Sequence, residues 1–86
     1  MPQSEILSFE AFQAMLAELL KVDMARLRPE AYFITDLGVD SLRLVEILLR
    51  LEELGVEISP DLAWEIQTVG DAYEYYRAQM EIRDQR

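Results

Sequence analysis

Apolar residues recur along this chain at helical spacing in four places, separated by short polar or turn-forming stretches. In the first, Phe9, Phe12, Met15, Leu16, Leu19 and Leu20 follow the three-and-four rhythm of an amphipathic helix, with Ser8 ahead of them as an N-cap, so a helix is predicted over 8–21. In the second, Leu44, Ile47, Leu48, Leu51 and Leu54 fall on one wide stripe, which predicts a core-facing helix over 41–54. Ser59-Pro60 reads as an N-cap followed by a first-turn proline and predicts a short helix over 60–66, carrying Leu62, Trp64 and Ile66. In the fourth, Val69, Ala72, Tyr73, Tyr76 and Met80 give the inward stripe of a helix over 69–82. Thr68 caps it, and Asp71 three residues on completes a reciprocal pair. Tyr75 falls off that stripe and is expected to be more exposed, and the charged stretch 81–86 to fray.

The connections complete the outline. Residues 1–7 show no period and read as an extended or frayed lead-in. The stretch 22–40 is longer than most links between packed helices, and its composition is not that of a disordered segment. Leu27, Tyr32, Phe33, Ile34 and Leu37 are expected to pin it over the core, with Asp23 starting a single turn and Pro29 ending it. Gly55 suits the end of the second helix. The expected fold is therefore all-α, one domain over 1–86: a small bundle of three longer helices and one short one, with a long loop between the first two. Trp64, the only tryptophan, is expected to cover an edge of the core.

The second helix carries more than folding needs. Leu42, Val45 and Leu49 form another apolar stripe nearly opposite the first, with Glu46, Arg50 and Glu53 beside or between them. Periodicity alone allows two readings of equal weight: a central helix covered on both sides, or a face offered to a ligand or partner. Just ahead of it lies Asp36-Leu37-Gly38-Val39-Asp40-Ser41-Leu42. Gly38 gives the loop a permissive backbone position, and Asp40 is a good N-cap. With the cap engaged, the Ser41 hydroxyl stays available at the positive end of the helix dipole, a position that suits a phosphate ester. On its own, Asp-Ser before an apolar run is more often a plain helix start. A calcium-loop reading of 36–47 fails, because the third, sixth and twelfth positions lack the acid, glycine and glutamate that such a loop uses.

Composition narrows the chemistry further. The 86 residues contain no cysteine and no histidine, which removes disulfides, metal thiolates and the commonest general base. The chain itself therefore offers no thiol. A net charge of −9 argues against nucleic acid and anionic membrane surfaces, and favours partners with basic docking surfaces. No apolar run approaches the length of a membrane span and no basic-then-apolar leader opens the chain, so a cytoplasmic location is expected.

Leu37-Gly38-Val39-Asp40-Ser41-Leu42 resembles the attachment motif of the acyl carrier proteins, whose serine receives 4'-phosphopantetheine. The resemblance extends from about Phe9 to Tyr76 and includes Leu51-Glu52-Glu53, Val56-Glu57-Ile58 and Thr68-Val69-Gly70-Asp71 in the family's order. It implies that Ser41 is modified from coenzyme A by a phosphopantetheinyl transferase. The arm's thiol then bears an acyl group for acyl-loading, ketosynthase and other carrier-dependent enzymes. Leu42, Arg43, Val45, Glu46, Leu49 and Glu53 would form the face those enzymes read, on a monomeric protein that is not itself an enzyme.

Arg43 departs from the family, standing where fatty-acid carriers usually show an acid, and its charge is expected to repel a partner arginine built for that acid. Arg50 adds a second cation, and the link from Leu51-Glu52-Glu53 to Ile58 is one residue shorter than the commonest spacing. These features favour a specialised polyketide or lipid pathway over housekeeping fatty acid biosynthesis. A peptidyl or aminoacyl carrier is the nearest competitor, and Asp40 in place of the histidine frequent in that group favours the acyl reading. From another class, the competitor is an acidic helical adaptor that carries nothing.

Overall fold

The computed structural model describes residues 6–57, 59 and 61–84. Most of the lead-in, together with Ile58, Pro60 and the last two residues, lies outside them. Helix α1 is Phe9–Leu20, α2 is Ser41–Glu53, α3 is the single turn Leu62–Glu65, and α4 is Val69–Asp84, with one 3-10 turn, Met24–Arg26, in the long loop. Among the described residues there is no strand, only an isolated antiparallel bridge between Tyr32 and Thr68. The all-α arrangement of three longer helices and a crossing loop is the expected one; of the short helix expected over 60–66, only the single turn Leu62–Glu65 forms, and its expected first-turn proline, Pro60, lies outside the described residues.

Each helix starts and stops for local reasons. Ser8 Oγ accepts the Ala11 amide at 3.1 Å and opens α1. Lys21 closes it in the left-handed conformation (φ 59°), with the Val22 amide donating back to the Ala17 carbonyl. At the end of α2 the amides of Gly55 and Val56 donate to the carbonyls of Glu52 and Leu51, and Gly55 holds the positive φ of 104° that this termination needs. Thr68 and Asp71 cap α4 reciprocally: the Asp71 amide donates to Thr68 Oγ1 at 3.0 Å, and Asp71 Oδ2 accepts the Thr68 amide at 3.2 Å.

The core joins α1, α2, α4 and the loop. Phe12 and Leu16 from α1, Ile47 and Leu51 from α2, and Val69, Ala72 and Tyr76 from α4 are buried against Leu27, Phe33, Leu37 and Val39 of the loop. Burying a side chain such as Ile47 or Leu51 contributes about 1.5–3 kcal/mol, so a handful of them outweighs any single surface contact in this domain. Phe12 stacks on Tyr76 at 5.6 Å between ring centroids, and Tyr73 meets Phe9 and Phe12 edge-on at 5.2 Å.

Several expectations change. Leu7 is not frayed: its amide donates to the Tyr76 hydroxyl at 2.9 Å and its carbonyl accepts from the Tyr73 hydroxyl at 2.8 Å, because those phenols need partners inside the bundle. Tyr32 and Ile34 are exposed and do not pin the loop, whereas Ala31 and Val39 are buried and do. Asp23 precedes the 3-10 turn without capping it by its side chain, and the turn ends at Leu27, ahead of Pro29. Ile66 leaves α3 to enter the core, since the Gln67 carbonyl is committed to the Phe33 amide at 2.9 Å. Tyr75 is half-buried, with its hydroxyl donating to the Glu57 carbonyl at 2.9 Å. Helix α4 runs on through 84, supported by the Arg77 to Glu81 ion pair at 2.8 Å. Trp64 is 79% exposed and does not cover the core, because the buried Ile66 and Phe33 already seal that edge.

Candidate functional site

The loop 22–40 delivers Ser41 to the surface by a chain of backbone bonds. The Val39 amide donates to the Phe33 carbonyl at 2.8 Å and the Gly38 amide to the Ile34 carbonyl at 3.2 Å, with Gly38 at φ 69°. Asp36 is spent on the loop itself: Oδ2 accepts the Tyr32 amide at 2.9 Å, and its carbonyl accepts from Arg26 at 2.9 Å. Buried Phe33, Leu37 and Val39 anchor this turn while Asp36, Gly38 and Asp40 face outward. The alternation is what brings residue 41 out at the rim.

Asp40 Oδ1 accepts the Arg43 amide at 2.9 Å and the Asp40 carbonyl accepts the Leu44 amide at 3.0 Å, which sets the first turn of α2. The cap leaves the amides of Ser41 and Leu42 to point out of the helix. The Ser41 side chain is exposed, and no hydrogen bond among the described residues engages its hydroxyl. An anion attached there would lie at the positive end of α2, where first-turn amides are left without helical acceptors, while Asp36 Oδ2 is turned to the Tyr32 amide. The residues present therefore fit a phosphodiester.

Ser41 also borders an open, largely apolar cleft of about 610 Å³ between the loop and α3. Tyr32 and Ile34 of the loop, Leu44 of α2 and Trp64 of α3 line it. Sequence reasoning assigned Trp64 to an edge of the core and did not single out Thr35 or Gln67, which also reach this cleft. Their sequence signal is weak, since the cleft forms only when the loop and the segment before α4 pair.

The second stripe of α2 has no cover within the described residues: Leu42 is 67% exposed, Val45 49% and Leu49 53%. Of the two readings that periodicity left open, the exposure of this stripe among the described residues favours the offered face over the covered central helix. Glu46 and Glu53 flank the stripe, each tied to an arginine one turn earlier on the helix. Arg43 Nη1 lies 2.9 Å from Glu46 Oε1 and 3.5 Å from the Leu19 carbonyl, and Arg50 Nε lies 3.4 Å from Glu53 Oε1. Arg43 is half-buried and paired, so the turn it shares with Glu46 is close to neutral. Among the described residues no cluster of three acidic or other ligating side chains is placed to hold a metal, and no helix is long and apolar enough to cross a membrane.

Comparison with known proteins adds independent support. The family described as "Phosphopantetheine attachment site" matches residues 10–76. An "Acyl carrier protein" of Helicobacter pylori strain G27 is 52% identical over 68 residues, spanning 78% of this chain and 87% of the relative. Its counterpart in strain J99 is 48% identical over the same span. With the family's signature covering most of the chain and relatives of this similarity covered nearly end to end, the protein belongs to the phosphopantetheine-attachment family of acyl carrier proteins, which bear a covalent 4'-phosphopantetheine and are not enzymes.

Proposed function

We propose that Ser41 bears the 4'-phosphopantetheine arm and that partner enzymes with basic surfaces dock on the exposed face of α2 beside it. The observation that carries this reading is an exposed, unbonded serine hydroxyl at the N-terminus of a helix, with its neighbour Asp40 already spent as the cap. The Ser41 oxygen attacks the phosphorus of coenzyme A that carries the pantetheine; the new Oγ–P bond forms as the P–O bond to adenosine 3',5'-bisphosphate breaks. The chain has no histidine, and Asp40 Oδ1 is held by the Arg43 amide, so the transferase takes up the hydroxyl proton. When bound, the arm supplies the thiol on which an acyl group is held as a thioester.

Leu42, Val45 and Leu49 provide the apolar part of the docking face, and Glu46 and Glu53 the acidic part. Pairing of Arg43 with Glu46 leaves this turn neutral where an acid in place of Arg43 would make it strongly negative. A partner surface selected for two acids loses attraction here, which favours a specialised polyketide or lipid pathway over the housekeeping one. Incubation with a broad-specificity phosphopantetheinyl transferase and coenzyme A tests the attachment. The intact mass is expected to rise by one phosphopantetheinyl unit, and Ser41→Ala to abolish the gain. An unchanged wild-type mass refutes the carrier reading and leaves an acidic adaptor.

A further inference from the structure

Around α2 the outer side chains fall into three rows. At about 100° per residue, Arg43 and Arg50 share one line, Glu46 and Glu53 lie roughly 60° round from it, and the exposed Leu42 and Leu49 roughly 40° beyond them. The glutamate and leucine rows belong to the face described above. The arginine row turns toward α1 and, with Met15, Glu18, Leu19 and Lys21, lines an open groove of about 290 Å³.

On a chain of net charge −9, this groove gathers three cations against one carboxylate, Glu18. Folding uses only part of what they offer. Arg43 spends Nη1 on Glu46 and the Leu19 carbonyl, and Arg50 spends Nε on Glu53. The other guanidinium N–H groups of both, and the ammonium of the exposed Lys21, meet no acceptor among the described residues. Glu46 and Glu53 balance the arginines, so the uncompensated charge is that of Lys21, at the C-cap of α1. The negative end of α1 favours a cation there, but its partial charge is only about half a unit. What stays open is a donor set suited to a carboxylate.

We infer that the groove takes an acidic side chain of the phosphopantetheinyl transferase that modifies Ser41. This rests on transfer at Ser41. Arg43 shares the first turn of α2 with Ser41, so an enzyme whose active site reaches Ser41 Oγ covers that turn. A standard interface buries about 800 Å² on each partner, enough to continue along the roughly 10 Å from Arg43 to Arg50. Basic residues of the transferase meet the glutamate row, and a carboxylate beside them meets Lys21 and the arginine row. Opposite signs on neighbouring rows fix which way round α2 the enzyme sits. A transferase with cations alone at this edge meets like charge and is disfavoured.

Lys21 is the only lysine in the chain, which makes it a unique reporter. The unmodified protein is mixed with the purified transferase of its native host and a carbodiimide, which joins a carboxylate within ion-pair reach to Lys21 Nζ as an amide with loss of water. Peptide mass spectrometry is expected to find Lys21 bonded to an aspartate or glutamate of the transferase, a result read on the wild-type chain. In steady-state transfer from coenzyme A, Lys21→Glu is expected to raise KM for the carrier several-fold at low ionic strength with kcat little changed. Lys21→Arg keeps the wild-type KM, and high salt narrows the difference. Normal loading by mass, with Lys21 bonded to no transferase carboxylate and KM unmoved or lowered by Lys21→Glu, overturns the groove. Absence of a mass gain in the wild type overturns attachment instead, so the two failures are told apart.

Discussion

The Arg43 guanidinium meets the Glu46 carboxylate at 2.9 Å one turn along α2, and the same nitrogen faces the Leu19 carbonyl of α1 at 3.5 Å. A residue on the helix that opens at Ser41 thus ties two helices together near the C-terminus of α1, where a cation is favoured. Arg43→Glu removes that tie and places a like charge beside Glu46. The pair is only half-buried, so solvent screening limits the loss to about 0.5–1 kcal/mol. The thermal midpoint is expected to fall by roughly 2–8 °C, and less at high salt. A midpoint that does not move would show the guanidinium to be idle in the fold.

Docking is expected to separate from folding on the other side of α2. Leu49 is exposed, so Leu49→Ala changes stability by no more than about 0.5 kcal/mol. The same variant is expected to lower kcat/KM for phosphopantetheinyl transfer, because an apolar anchor of the transferase is lost. Equal transfer kinetics for wild type and variant would remove Leu49 from the docking face.

Lys21 holds the left-handed conformation at the end of α1, which suits glycine better than any residue with a Cβ. Lys21→Gly relieves that strain but gives the unfolded chain more freedom. The strain is the larger quantity, so a net gain of about 0.5 kcal/mol is expected. Urea unfolding reads it as a higher midpoint at unchanged slope.

Gly70 tests the seam that shapes the cleft. A Cβ there would lie 2.9 Å from the Pro29 carbonyl oxygen, to which the Gly70 amide donates at 2.9 Å. Alanine gains up to about 1 kcal/mol in helix propensity, less in a first turn, yet a backbone oxygen has little room to retreat and overpacking costs about 1–3 kcal/mol. The clash wins, and Gly70→Ala is expected to destabilise the protein. Amide exchange at Val69 and Phe33, whose amides donate to Ala31 and Gln67 across the same seam, should quicken in parallel.

Helices and caps were legible in the sequence because their causes are local. Ser8, Asp40 and the Thr68 and Asp71 pair each act within one turn, and the buried Phe12, Leu16, Ile47 and Leu51 obey a period of one helix. The exposed hydroxyl of Ser41 followed from the same reasoning, since a cap at Asp40 decides what the next side chain does. Tyr32, Ile34 and Trp64 were misplaced because hydrophobicity says only that a side chain prefers burial. Phe33 and Ile66 fill the space first, and that competition is settled by the nonlocal bond between Phe33 and Gln67. The pairing of Arg43 was not legible in the sequence for a related reason: its partners lie one turn ahead on α2 and at the end of another helix.

The central claim is that one hydroxyl, on Ser41, tethers the prosthetic arm. Its most direct test is mass spectrometry of the protein purified from its native host, with the modified peptide fragmented to locate the added group. A phosphopantetheinyl unit on Ser41 is the predicted result; an unmodified Ser41, or the group on any other residue, contradicts it.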